Sequence, residues 1–204
     1  MKIIPLGKIF YFFFADIILN AAIIITIVFT IRYFLISPFQ VSGNSMLDTL
    51  HDREYIIVNK LNYRFNEPER GDPIVFLPPN HKKDYYVKRI IGIPGDTVVI
   101  ENGKVKLITP EDPEGHYVDE SYLSERFNGK TYLPTDIMNE TFTVPEDKYF
   151  VLGDNRTGSS DSRYWRDAYT NEPTPFVEKD MISGKVWTVL WPLNKIRIID
   201  DFWT

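Results

Sequence analysis

The hydrophobic pattern divides the chain into two unlike parts. From Ile9 to Ile31 the residues are almost continuously apolar, interrupted only by Asp16, Asn20 and two threonines. About 23 helical residues at 1.5 Å each reach roughly 35 Å, which exceeds the roughly 30 Å thickness of a hydrocarbon core. The pattern therefore predicts one transmembrane helix, with residues 1–37 forming a cytoplasmic tail, an anchor and a link.

The charges that flank this run predict its orientation. Lys2 and Lys8 precede it and Arg32 follows it, so the positive-inside tendency places the N-terminus in the cytoplasm and the rest of the chain outside. A cleaved signal peptide is the alternative. It is disfavoured because the small residues at 20–22 are followed by further apolar residues and not by a polar mature sequence. Asp16 inside the span is costly and has no explanation in this pattern.

After residue 39 the period of the pattern changes. Short runs of β-branched and aromatic residues alternate with Gly, Pro, Asn and Asp, and no long helical stripe follows. The predicted strands are residues 55–58, 74–77, 85–91, 97–100, 148–152 and 185–190. This pattern predicts an all-β domain of antiparallel sheets over residues 38–204, with an inserted polar subdomain at 101–147 and a surface loop at 166–180.

Composition and charge exclude several classes of function. The 204 residues carry a net charge of −5, which argues against a nucleic-acid partner because phosphate binding needs a basic surface. The absence of cysteine removes disulfides, thiolate zinc sites and cysteine nucleophiles. The three histidines, His51, His81 and His116, offer no close pair at metal-ligand spacing, so we expect neither a metal nor a cofactor.

Residues 41–50, with the sequence VSGNSMLDTL, are the first segment with candidate chemistry. Ser45 follows a turn that contains Gly43. Such a turn can expose a hydroxyl beside backbone N–H groups, as an oxyanion hole requires. Taken alone, the segment is better explained as an ordinary Ser-Gly turn.

Residues 85–96 are the second such segment, with the sequence YYVKRIIGIPGD. In a strand, Tyr86, Lys88 and Ile90 share one face, while Val87 and Arg89 lie on the other. A lysine among apolar neighbours in a buried strand has a lowered pKa, because burial disfavours the ammonium form, and it can then act as a base near neutral pH. The competing interpretation is a lysine that reaches solvent from a strand edge.

Residues 153–163, with the sequence GDNRTGSSDSR, are the third segment and follow an apolar strand. If this segment is extended, Ser159, Asp161 and Arg163 share a face, which places a hydroxyl beside a carboxylate–guanidinium pair. A polar loop is the simpler interpretation. A calcium loop is excluded because Trp165 stands where the closing glutamate would be needed.

In order and spacing, these segments resemble the serine, lysine and Gly-Asp-Asn-Arg boxes of the bacterial type I signal peptidases. Residues 70–76 (RGDPIVF) resemble the box between the first two, and Trp191-Pro192 near the C-terminus also fits. The resemblance covers about residues 32–192 and the anchor before them. Four boxes in sequence behind an anchor are far more specific than any one of them.

The resemblance implies a serine endopeptidase with a signal-peptidase-like β fold in the bacterial plasma membrane, with its catalytic domain on the outer face. Its substrates would be the signal peptides of secreted preproteins. By position in the boxes, Ser45 is the nucleophile and Lys88 the general base, and only the resemblance brings these residues together across 43 positions of sequence. Ser159 would orient the lysine amine, while Asp161 and Arg163 hold the site together.

Further residues follow from the same resemblance. Gly153, Asp154 and Asn155 open the third box and are expected to support the site. An extended substrate can pair with strand edges near residues 41–45 and 84–88, which makes Val41, Gly43 and Val87 candidates for substrate binding. The roughly 13 residues between Arg32 and Ser45 span at most about 45 Å, so the site must lie near the bilayer.

Three departures from the family pattern stand beside these matches. Gly43 replaces the hydroxyl residue that some relatives carry two positions before the nucleophile, Asp48 stands where proline is usual, and additional residues follow Arg163. A membrane-anchored β-domain that binds a partner without catalysis is the alternative function. A self-cleaving repressor of the related serine–lysine class is disfavoured because it would need a DNA-binding domain where this chain has its anchor.

Overall fold

An N-terminal helix precedes the β-rich remainder of the chain in the computed structural model, which describes residues 6–30, 32, 35–79, 83–135 and 140–199. Helix α1 (Leu6–Thr30) begins three residues before the predicted apolar run. Over Phe13–Thr30 it is long and apolar enough to cross a membrane. Lys2, Ile31 and His81, which the sequence analysis singled out, lie outside the described residues.

The large apolar side chains that the structure describes in α1 are exposed; Ile18, for example, is 66% exposed. The two threonine hydroxyls of the helix form hydrogen bonds within it: Thr26 and Thr30 each donate to the carbonyl four residues earlier at 2.8 Å. A helix with this surface needs an apolar environment to cover it.

The described part of residues 35–199 contains one short α-helix, α2 (Asn62–Phe65), two 3-10 turns (Lys179–Met181 and Leu193–Lys195), and otherwise strands and loops. In chain order the strands are β1 (Ile36–Gln40), β2 (Tyr55–Asn59), β3 (Pro73–Phe76), β4 (Tyr86–Gly92), β5 (Thr97–Glu101), β6 (Lys104–Ile108), β7 (His116–Tyr117), β8 (Thr141–Thr143), β9 (Lys148–Leu152), β10 (Phe176–Glu178), β11 (Ile182–Trp191) and β12 (Arg197–Ile198). The predicted class, antiparallel β-sheets behind one N-terminal apolar helix, is confirmed.

The larger sheet has the order β1-β2-β11-β3-β4-β9-β10 within the described ranges, with β12 paired to β11, and every pairing is antiparallel. The strands at its centre carry continuous apolar runs, and all four residues of β3 are buried. Pro38 lies in the edge strand β1, where a missing N–H is tolerated. That proline explains why the sequence pattern did not predict this strand.

A second sheet has the order β7-β6-β5-β8 within the described residues and extends from residue 97 to residue 143. A shared apolar cluster joins it to the larger sheet: Ile91 and Phe150 from one pack with Val98 and Phe142 from the other. The predicted surface loop at 166–180 is shorter than expected. Residues 176–178 form β10 and pair with β9, because the side chain of Val177 is fully buried.

The registers around β4 decide where the candidate residues lie. Lys88 pairs with Ile74 of β3, and Arg89 pairs with Pro73 on one side and Leu152 on the other. Alternation along β4 points Lys88 and Arg89 to opposite faces of the sheet, as the sequence predicted. Both side chains are nevertheless buried, with 3% and 0% exposure.

Candidate active site

Ser45 and Lys88 meet at one end of a cleft. Ser45 lies in the turn that follows β1, and Lys88 lies in the middle of β4. The Lys88 Nζ donates a hydrogen bond to the Ser45 Oγ at 2.8 Å and another to the carbonyl oxygen of Val87 at 2.8 Å. A lysine amine and a serine hydroxyl therefore lie within proton-transfer distance of each other.

Burial lowers the pKa of Lys88 to about 8, because desolvation disfavours the ammonium form. The carboxylates of Asp161 and Asp154 act in the opposite direction and limit the decrease. The amine lies 5.3 Å from the centroid of the Tyr86 ring, which forms part of its apolar surroundings. A substantial fraction of neutral amine is thus present at mildly alkaline pH.

The third segment holds the turn that carries Ser45. The backbone N–H of Asn155 donates to the Ser45 carbonyl at 3.0 Å, and the Asn155 side-chain amide donates to the Asn44 carbonyl at 3.0 Å. These two bonds join residues more than 100 positions apart in the chain. They hold the peptide groups on either side of Ser45, which sets the position of the serine hydroxyl.

A buried ion pair links β4 to the same loop. Asp154 accepts two hydrogen bonds from the Arg89 guanidinium, at 2.9 Å to Nε and 2.7 Å to Nη2, and both side chains are fully buried. The Thr49 hydroxyl donates to Asp154 at 2.6 Å, and Arg89 also donates to the Gly71 carbonyl at 2.7 Å. One carboxylate thereby ties together all three segments that the sequence singled out.

Asp161 and Arg163 form the second buried ion pair, as the sequence predicted, but through a turn at residues 161–164 and not through an extended strand. Burial alone would raise the pKa of Asp161, but the charge and hydrogen bonds of Arg163 outweigh it and lower that pKa, so the carboxylate stays ionised. Asp161 also accepts the Gly153 N–H at 3.0 Å. This pair holds the start of the loop.

Ser159 does not make the contact expected from the resemblance. Its hydroxyl is not a hydrogen-bond partner of the Lys88 amine, whose bonds go to Ser45 and Val87. The Ser159 hydroxyl contributes a little to lowering the pKa of Asp161. It is buried, but it forms no well-aligned hydrogen bond with any described residue. Because this hydroxyl packs closely against Gly153, it still borders the site.

A cleft of about 690 Å³ opens beside the Ser45–Lys88 pair. The three residues predicted to bind substrate, Val41, Gly43 and Val87, all line it. Gly43 has a φ of +95°, which favours glycine, and its N–H donates to Asp52 at 2.8 Å. That N–H is therefore engaged within the turn.

Four residues of this region escaped the sequence analysis as site residues. Arg156 was quoted only as part of the third motif, while Glu120, Tyr122 and Thr131 lie in the polar stretch between β7 and β8. All three contact the Arg156 guanidinium. Nothing in the spacing of this stretch distinguishes Glu120 from its many exposed acidic neighbours, so only the folded chain reveals the contact.

The sequence also matches a known protein family. The sequence profile of the family described as "Signal peptidase, peptidase S26" matches residues 14–191. The chain belongs to this family. The predicted resemblance to the bacterial type I signal peptidases is thereby confirmed, and the chain is an enzyme of the signal peptidase I type.

Two relatives found by sequence, from Bacillus and Staphylococcus, support the same assignment. Signal peptidase I of Bacillus amyloliquefaciens is 40% identical over 181 residues, which cover 86% of this chain and 88% of the relative. Signal peptidase IB of Staphylococcus aureus (strain N315) is 33% identical over 190 residues, covering 88% and 91%. A crystal structure of a signal peptidase I from Enterococcus faecalis V583 is 31% identical and covers 59% of this chain and 97% of the solved chain, with a TM-score of 0.42.

Proposed function

We propose that this enzyme removes signal peptides from exported preproteins by a serine–lysine dyad, with Ser45 as nucleophile and Lys88 as general base. The observation that carries the proposal is the 2.8 Å distance between the Lys88 Nζ and the Ser45 Oγ. The burial that lowers the pKa of this lysine to about 8 supports the same assignment. A charged lysine could donate to the hydroxyl but could not take its proton.

The reaction follows from the same pair. Once Lys88 is neutral, its lone pair accepts the Ser45 hydroxyl proton while the Oγ attacks the peptide carbonyl carbon. The tetrahedral intermediate collapses as the new ammonium returns that proton to the leaving amine, which breaks the C–N bond and leaves an acyl ester on Ser45. Lys88 then takes a proton from water, the hydroxide equivalent attacks the ester, and the proton returns to the Ser45 oxygen.

The developing oxyanion needs hydrogen-bond donors, and the backbone N–H of Ser45 is the natural first one. The N–H of Gly43 is engaged with Asp52, and glycine brings no hydroxyl. In this chain the oxyanion therefore depends on the backbone at Ser45, whose carbonyl side is held by Asn155.

Two strand edges border the cleft and favour an extended substrate. β1 pairs with β2 on one side only, and residues 86–88 of β4 pair with β3 but not with β9 within the described ranges. A peptide between these edges can form main-chain hydrogen bonds and present alternate side chains to the wall lined by Val41 and Val87. The preference for small residues near the scissile bond is what the family resemblance implies.

We also propose that α1 anchors the enzyme in the bacterial plasma membrane. Its 25 residues correspond to about 37 Å, enough to span a hydrocarbon core of roughly 30 Å. Lys2 and Lys8 precede the apolar run, and by the positive-inside tendency they favour a cytoplasmic N-terminus and a catalytic domain on the outer face. Protease protection in membrane vesicles tests this orientation, since cleavage of the β domain only from the cytoplasmic side would contradict it.

Cleavage of a preprotein by the full chain in detergent tests the dyad. We expect Ser45→Ala and Lys88→Ala to lose turnover while retaining their circular dichroism spectra. Lys148→Ala, which removes an exposed lysine of β9 paired with Glu178, is the matched control and should cleave normally. Unchanged processing by the Ser45 variant would contradict the proposal and favour a binding domain without catalysis.

A further inference from the structure

Arg156 is a third buried arginine beside the candidate site, after Arg89 and Arg163. Its side chain is fully buried, and all three of its guanidinium nitrogens donate hydrogen bonds to described residues. The Nε donates to the Gly153 carbonyl at 3.0 Å. The two Nη atoms point away from residues 153–163, which we call the catalytic loop, and toward the stretch between β7 and β8.

Three side chains of that stretch accept hydrogen bonds from the guanidinium. Nη1 donates to the Glu120 carboxylate and, at 2.8 Å, to the Thr131 hydroxyl. Nη2 donates to the Tyr122 hydroxyl at 2.8 Å. Burial raises the pKa of Tyr122 to about 12, so this phenol is neutral. Among the described hydrogen-bond partners of Arg156, Glu120 is therefore the only anion; the Asp154 carboxylate also acts on Arg156, through its charge.

The same stretch contacts the two other buried arginines of the site. The Tyr122 ring lies 4.6 Å from the Arg89 guanidinium, and the Tyr132 carbonyl accepts a bond from Arg163 at 3.1 Å. Arg89 and Arg163 in turn pair with Asp154 and Asp161. The stretch thus packs on the side of the catalytic loop that faces away from the cleft.

A short chain of contacts leads from Glu120 to the nucleophile. Glu120 holds Arg156, whose Nε holds the Gly153 carbonyl. Two residues later, the N–H of Asn155 holds the Ser45 carbonyl. Neither Glu120 nor Arg156 lines the cleft, so any influence on the reaction passes through the position of the loop and not through contact with substrate.

We propose that Glu120 is a positioning residue for the catalytic loop: by holding Arg156 it fixes the Gly153–Asn155 backbone, and through it the Ser45 hydroxyl against Lys88. This inference rests on the proposed function and assigns to the stretch between β7 and β8 a part in catalysis. A displacement of about 1 Å between reacting groups can lower a rate roughly 100-fold. We expect replacement of Glu120 to lower kcat and to leave KM nearly unchanged, because the residues that line the substrate cleft are not altered.

The experiment compares Glu120→Ala and Glu120→Gln in the full-length enzyme in detergent. Glu120→Ala removes charge and acceptor, and we expect kcat to fall about 10- to 100-fold with KM within about twofold. Glu120→Gln keeps an oxygen that can accept from Arg156, so it should recover part of the loss. If Glu120→Ala does not fold, the glutamine variant alone supports the same comparison with wild type.

Asp96→Asn is the matched control, because Asp96 is an equally buried carboxylate that pairs with Arg70 outside the cleft and the loop. It should leave kcat unchanged even if it lowers stability. Unchanged kcat in both Glu120 variants, or an equal loss in Asp96→Asn, would overturn the inference.

Amide hydrogen exchange at Asn155 separates this inference from the proposed function. The Asn155 N–H, which donates to Ser45, should exchange faster in Glu120→Ala than in wild type or Asp96→Asn. Unchanged exchange would overturn the positioning role whatever the activity. If instead Ser45→Ala cleaves normally while Asn155 exchange rises as expected, the dyad fails and the structural link from Glu120 to the loop stands.

Discussion

Gly153 lies directly against the carbonyl group of Ser45. A Cβ atom at position 153 would lie 2.5 Å from the Ser45 carbonyl oxygen and 2.1 Å from the Ser159 Oγ. Both distances are far shorter than real Cβ contacts. The loop can therefore approach the nucleophile only because this residue has no side chain.

We expect Gly153→Ala to displace the Ser45 backbone and to lower kcat about 100-fold, since even a 1 Å misplacement can have such an effect. The measurement is steady-state cleavage of a preprotein. Gly129→Ala is the control for backbone strain without a clash, because an added Cβ there meets no atom within 4 Å while the φ of +70° disfavours any side chain. Equal activity of the Gly153 variant and wild type would mean that the loop does not constrain Ser45.

Replacement of Lys88 by methionine should stabilise the fold at pH 7 while it abolishes activity. The folded-state pKa of about 8 lies below the ordinary value of 10.5. The unfolded chain therefore binds more protons between these pH values, and wild-type stability rises with pH across that window. Below pH 8 the folded state carries the full penalty, roughly 3 kcal/mol.

The two hydrogen bonds of the amine offset part of this penalty, by about 1 kcal/mol each. We therefore expect Lys88→Met to gain about 1–2 kcal/mol in the free energy of unfolding at pH 7. The gain should disappear near pH 10.5. Urea unfolding at both pH values measures it, with Lys148→Met as the control for an exposed lysine. A loss of stability at pH 7 would contradict the assigned burial penalty.

The Arg89–Asp154 ion pair predicts a large stability effect from a single truncation. Asp154→Ala leaves a fully buried guanidinium without its carboxylate, which costs about 3–5 kcal/mol. Glu178→Ala breaks the half-exposed pair with Lys148 and should cost less than about 1 kcal/mol. Urea unfolding of both variants gives the comparison, and similar effects in the two would show that the buried pair is not structurally required.

The sequence predicted much of this fold because its central strands have a clear composition. Residues 148–152 were predicted as a strand and form β9 with the same bounds. β6, β8 and β10 went unpredicted. β8 and β10 are only three residues long and pair with strands well before them in the chain, whereas β6 carries two lysines within the polar stretch predicted as an insert. Pro38 concealed β1 in the same way, since a proline in a strand is tolerated only where the folded chain leaves an edge.

In the candidate site, too, local features were predictable from the sequence and contacts between distant segments were not. Alternation along β4 predicted that Lys88 and Arg89 point to opposite faces, and this depends only on backbone geometry. The contact between Lys88 and Ser45, and the approach of Glu120 to Arg156, depend on packing between distant segments. Family resemblance supplied the first contact, whereas no pattern in the polar stretch around Glu120 indicated the second.

Lys88 can act as the general base only when its amine is neutral, and a titration of that amine tests this most directly. The NMR signal of the Lys88 Cε, measured against pH in the intact enzyme in detergent, should report a pKa of about 8. The kcat/KM for preprotein cleavage should rise with pH through the same value, because the base is active only when neutral. A lysine that titrates near its ordinary 10.5, or a rate that rises at a pH unrelated to the lysine titration, would contradict the account.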